Sequence, residues 1–135
     1  MNCGHCIRAE GHAAIHLITE GTVACEDALE EGIHTRGNAE IEVQAGERIV
    51  FSAAEDGMDA SGNSGVHLSL IADDQVDDQT DNQAPDTPIS VTGGVVGINA
   101  QGHATIDSAG ECTVAGTTEN LTQSGNASVT TTCDL

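Results

Sequence analysis

The sequence has no lysine, no tryptophan and no tyrosine, and Phe51 is its single phenylalanine. Its only full-time cations are Arg8, Arg36 and Arg48, set against 22 Asp and Glu residues for a formal net charge of −19. Nothing in such a chain can neutralise a run of phosphates, which excludes nucleic acid as a direct partner. The scarcity of large apolar side chains limits burial, worth about 25 cal/mol per Å². Small domains with thin cores lean on staples or partners, so an oligomer or a docked subunit is expected. No apolar run is long enough to cross a bilayer as a helix. The start, MNCGHCIRAEGH, lacks a basic segment followed by an apolar one. The expectation is a protein made in the cytoplasm, with no signal peptide and no membrane partner.

The charge raises a question of conditions. At ordinary salt, like charges repel and strain a compact state. In molar salt the Debye length falls to about 3 Å and the repulsion is screened. Carboxylates without lysine, few aromatics and many Gly, Ala, Thr and Val look like proteins of salt-loving archaea, and a halophilic setting is expected.

What is present in abundance is short alternation. HAAIHLIT (12–19), TVAC (22–25), NAEIEVQ (38–44), IVFSA (49–53) and VHLSLI (66–71) read as strands, as do ISV (89–91), GVVGIN (94–99), HATID (103–107), CTVAGT (112–117) and NASVTTTC (126–133). EDALEEG (26–32) reads as one helical turn and EDGMDASGNSG (55–65) as a loop. Both prolines, Pro85 and Pro88, fall in the acidic stretch 72–88, which reads as a linker or long loop. The expectation is an all-β protein, a small barrel or sandwich. Its parts are an N-terminal Cys arm (1–10), a β module (11–71), the acidic loop (72–88), and a second β module or completion of the same barrel (89–135). The two halves share an echo. GHAAIHLITEGTVAC (11–25) returns as GHATIDSAGECTVAG (102–116). His12 and His103 head the two copies, where histidine ordinarily satisfies a turn.

Chemistry is sparse. CGHC, Cys3 to Cys6, carries the letters of a thiol–disulfide site but lacks the preceding apolar strand and aromatic neighbour of one. Cys3, Cys6, His12 and His16 offer two thiolates and two imidazoles suited to tetrahedral zinc, with Cys25 as a substitute ligand. Cys112 and Cys133 are either a disulfide or two small buried thiols. No nucleophile–base–orienter set, calcium loop or phosphate loop is present, so no catalytic residue is assigned and a non-enzymatic role is expected.

Three pieces of the first half, Gly21 to Leu29, Ala53 to Asp56 and Val66 to Leu70, carry a resemblance. They resemble the small β-barrel decoration, or cement, proteins on the heads of tailed viruses. The resemblance implies a structural protein on the virion surface, a homo-oligomer and foremost a trimer, that sits on the lattice of the major capsid protein and stabilises the particle. The acidic surface would then fit a virus of a halophilic archaeon. The rival expectation is a small zinc-binding adaptor built on the Cys/His cluster.

Overall fold

In the computed structural model, residues 4–71, 89–109 and 112–131 are described. They form strands and turns with no helix. The first circuit of the chain is β1 (Ile7–Gly11), β2 (Ala14–Thr19) and β3 (Thr22–Ala28). The second is β4 (Ile33–Gly37), β5 (Glu40–Ala45) and β6 (Arg48–Ala53). The third is β7 (Asp56–Gly62), β8 (Gly65–Leu70) and β9 (Ile89–Gly93), and the fourth β10 (Val96–Ala100), β11 (Thr105–Ala109) and β12 (Cys112–Gly116). A fifth begins with β13 (Glu119–Gln123) and β14 (Ser128–Thr131).

Every strand pairs in parallel with its counterpart one circuit away. Three sheets result, ordered β1-β4-β7-β10-β13, β2-β5-β8-β11-β14 and β3-β6-β9-β12. This is a parallel β-solenoid of about four turns, and the expected barrel or sandwich is corrected. A parallel pair cannot be joined by a hairpin and needs a long crossover. Here the crossover is the rest of the circuit, two more strands and three corners. Strands from 89–131 continue the sheets begun in 7–70. The stretch 72–88 lies outside the described residues.

Alternation along each strand turns every second side chain inward, and parallel register stacks like on like. The second sheet buries the row Ile41, Val66 and Ile106, with Ile15 and Val129 half-buried at its ends. The third buries Ile49, Ile89 and Cys112, and beside them Phe51, Val91 and Val114. The first sheet contributes Ile33, Met58 and Ile98, then the small row Ala9, Thr35, Ala60 and Ala100. Buried Thr35 donates to Ser64 Oγ at 3.0 Å, and Ser64 donates to the Ser61 carbonyl at 3.0 Å, so this polar pair is satisfied.

The echo between Gly11 and Gly102 is two copies of a five-fold motif. Gly11, Gly37, Gly62, Gly102 and Gly125 all have positive φ and occupy the same corner between the first and second sheets. The next residue is His12, Asn38, Asn63, His103 or Asn126. From the second copy onward its backbone N–H donates to the preceding corner glycine's carbonyl at 2.7 Å. His12 and His103 are therefore corner residues, as expected of histidine at a turn. Asn63 Nδ2 donates to Asn38 Oδ1 at 3.2 Å, extending the ladder into side chains.

Two local expectations are corrected. EDALEEG does not form a helical turn: β3 runs to Ala28 with a register shift between Cys25 and Ala28 and a left-handed Asp27. The expected loop at 55–65 contains β7, and the expected Cys arm contains β1.

Candidate metal centre

The chain leaves β3 through Leu29, Glu30, Glu31 and Gly32 before entering β4. The segment ahead of β1 runs along this connection. Glu30 N–H donates to the Gly4 carbonyl at 2.8 Å, and Gly32 O accepts from Cys6 and Ile7 at 3.2 and 3.1 Å. His5 is thereby laid against Glu30 and Glu31. The register of β1 on β4 and β4 on β7 places His34 on the outer face of the first sheet, in one row with Arg8 and Asp59.

Three donor atoms converge there. His5 Nδ1, Glu31 and His34 offer ligand atoms that all lie within 4.8 Å of one another, the one such group among the described residues. Glu31 Oε2 is 2.7 Å from His5 Nδ1 and 3.9 Å from His34 Nδ1. All three atoms are closed off from solvent, and none has a hydrogen-bond partner, since even the short contact is misaligned for one. Buried polar atoms without partners are costly, and three sharing one point call for a common partner. Ligands on a tetrahedral ion bound at about 2.0–2.1 Å sit roughly 3.4 Å apart, in the middle of the observed range.

The opposite ring nitrogens fit the same reading. His5 Nε2 is 3.0 Å from Glu30 Oε2, and His34 Nε2 is 3.9 Å from Glu10 Oε1. A metal-bound histidine characteristically faces a carboxylate with its other nitrogen, which fixes the tautomer and raises its basicity. Arg8 hydrogen-bonds Glu10 at 2.9 Å and holds that carboxyl below its ordinary range, so the group facing His34 is ionised. Asp59 Oδ2 lies 3.3 Å from His34 Nδ1 and is the nearest candidate for a fourth ligand. Side-chain exposures of 13, 16 and 15 % for His5, Glu31 and His34 make the group partly buried, with the donor atoms themselves shielded from solvent.

Burial raises the Asp59 carboxyl above its ordinary value, with like charge from Asp56 and Glu31 adding to the shift and His34 opposing it. A raised folded value means that the metal-free native state binds the proton more tightly than the unfolded chain. Stability then falls as pH rises from the ordinary Asp range through the raised one. Asp59→Asn should therefore raise the melting temperature of metal-free protein by a few degrees at pH 7 and leave it unchanged near pH 3. Thermal melts at the two pH values check this, and an equal shift at both would show that the effect is not ionisation.

The residues expected to ligate zinc are not brought together. Cys3 lies outside the described residues. Cys6 is bonded to Cys25 with Cα atoms 6.0 Å apart, so neither serves as a free thiolate ligand, and Cys6 is not paired within CGHC. His12 sits at a corner with Nδ1 3.4 Å from Asn38 Nδ2. His16 points outward from β2 and meets Glu42 Oε2 at 2.8 Å through Nδ1. Cys112 is itself disulfide-bonded. Cys133, its expected mate, lies outside the described residues.

CGHC drew attention to its cysteines, whereas the residue that reaches the centre is the histidine between them. One signal was available. His5 and Glu31 are separated by the same interval as Gly11 and Gly37, one circuit of the solenoid. Once that period is known, the two are neighbours. No family model, curated protein or solved structure matches the chain.

Proposed function

We propose that this chain is a metal-binding structural solenoid in which a transition ion, zinc foremost, joins the start of the first circuit to the second through His5, Glu31 and His34. The observation that carries the reading is the set of three buried, unpartnered donor atoms facing one point, with a carboxylate behind each imidazole. Two imidazoles and a carboxylate suit zinc and its neighbours over calcium or magnesium, which prefer all-oxygen sites. The shielding of the donor atoms supports a structural ion over one that meets substrate. A thin-cored solenoid with an open first edge is where such a staple stabilises most.

Oxidised protein titrated with zinc in excess magnesium, in molar salt, should take up one zinc and melt several degrees higher. His34→Ala should weaken binding about a hundredfold, and Glu30→Gln about tenfold through the imidazole it orients. Calorimetry on the three proteins checks both. Uptake unchanged in His34→Ala would assign the zinc to surface carboxylates and end the proposal.

The decoration role suggested by the resemblance keeps only the acidic surface as support, because the barrel that it implied is replaced by a solenoid. The adaptor reading is carried by the same centre, with His5 and His34 in place of Cys3, Cys6, His12 and His16.

A further inference from the structure

The three ligands of the centre are not equally anchored. His34 belongs to β4, which is paired on both sides, with β1 and β7. Glu31 adjoins Gly32, whose N–H donates to Asp56 O at 3.1 Å in the third circuit. His5 stands ahead of β1, the edge strand of the first sheet, which among the described residues has β4 as its one neighbour. The residue next to it, Cys6, is bonded to Cys25 in β3. Both sulfurs belong to residues packed against the core. The bridge spans 19 residues and closes the first circuit into a covalent ring. His5 is thus held by backbone hydrogen bonds of its neighbours, by its ring contacts with Glu30 and Glu31, and by the disulfide beside it.

Resting on the metal reading above, we propose that the Cys6–Cys25 disulfide gates the centre: the oxidised bridge fixes His5 among the ligands, and reduction frees it and weakens metal binding. Edge elements with one partner are the first to open in a folded protein. Without the ring, the segment ahead of β1 loses the direct tie that Cys6 makes to β3, and His5 leaves with it. Glu31 and His34 stay, so the ion is left with a partial ligand set. The chemistry is thiol–disulfide exchange with a thiol donor. One donor thiolate attacks a protein sulfur to form a mixed disulfide, and a second releases it. Cys6 and Cys25 end as two thiols carrying the donor's two protons, while the donor leaves as its disulfide. By reciprocity of linked equilibria, an ion held by His5 must favour the bridge by the factor that the bridge favours the ion.

Two measurements test this on the full chain. The first is zinc titration by calorimetry of oxidised protein and of the Cys6→Ser/Cys25→Ser variant, in which no thiol remains at these positions to bind metal in its own right. The variant should bind at least tenfold more weakly. The second needs no variant that must fold without its bridge. Wild-type protein is equilibrated in glutathione redox buffers with and without zinc, quenched in acid, and the bridged fraction of Cys6 and Cys25 is mapped by mass spectrometry. Zinc should raise the bridging constant at least tenfold, and His5→Ala should abolish that shift. Equal zinc affinity with and without the bridge overturns the gate and leaves the metal centre standing. A zinc-driven shift toward reduction would make the thiolates the true ligands and overturn the gate as well. No zinc uptake by oxidised protein removes both.

Discussion

Phe51→Ala should destabilise the solenoid by about 3–5 kcal/mol, the range for deleting a buried aromatic ring. Phe51 is the largest side chain in the core and is 1 % exposed. It stands in the third sheet with Cys25 on one side of its row and Val91 on the other. Beside it the chain places glycine: a Cβ on Gly32 would lie 2.6 Å from the Gly57 carbonyl oxygen and 3.1 Å from the Phe51 Cβ. The same device recurs one circuit on, where a Cβ on Gly57 would meet Val91 Cγ1 at 2.6 Å. Sheet spacing is fixed by backbone pairing at roughly 4.8 Å per circuit, so neighbouring rows cannot slide together to fill the void. A domain of this size holds about 5–15 kcal/mol in total, and the loss would be a large share of it. Urea unfolding in molar salt, with Phe51→Leu as a milder companion near 1 kcal/mol, measures the effect. A loss below about 1 kcal/mol for alanine would mean that the ring is not packed as described.

Gly62→Ala should be nearly as damaging, about 3 kcal/mol, while Gly11→Ala should cost about 1–2 kcal/mol. Both glycines hold left-handed backbone, φ +81° and +74°. They differ in what lies against them. A Cβ at Gly62 would come within 2.8 Å of the Gly37 carbonyl oxygen and 3.1 Å of its nitrogen, whereas at Gly11 nothing lies within 4 Å. The left-handed conformation is common to both variants, so the difference between them isolates the stacking of one corner on the next. Backbone cannot move aside as a side chain can without breaking the 2.7 Å hydrogen bond from Asn63 to Gly37. Paired urea titrations settle the matter, and equal losses at the two sites would contradict a stacked corner ladder.

The centre was half legible. CGHC contains His5, but the pattern points to its cysteines and to histidines close along the chain, as zinc motifs keep their ligands. His5 meets Glu31 and His34 only because one circuit of the solenoid intervenes. The expected partners His12 and His16 lie on a corner and on an outer face, turned away by strand alternation.

Composition and alternation determined that this protein is all-β. Dense Gly, Thr and β-branched residues left no helix a continuous face. They also placed most strands of the second and third sheets, whose inward positions are mostly Ile, Val, Leu and Phe. The strands that escaped notice, β1, β4, β7 and β13, all belong to the first sheet. IRAEG, IHTRG, DGMDASG and ENLTQ each bring only one or two large apolar side chains to the core, such as Ile33, Met58 and Leu121, among glycine, alanine and polar residues, so their alternation is too sparse to read. Only the tertiary structure decided between hairpin and circuit. A strand's alternation is the same whether its neighbour runs parallel or antiparallel, and what sets the two apart here, five left-handed corner glycines with four of them stacked on the one before, is visible only in three dimensions.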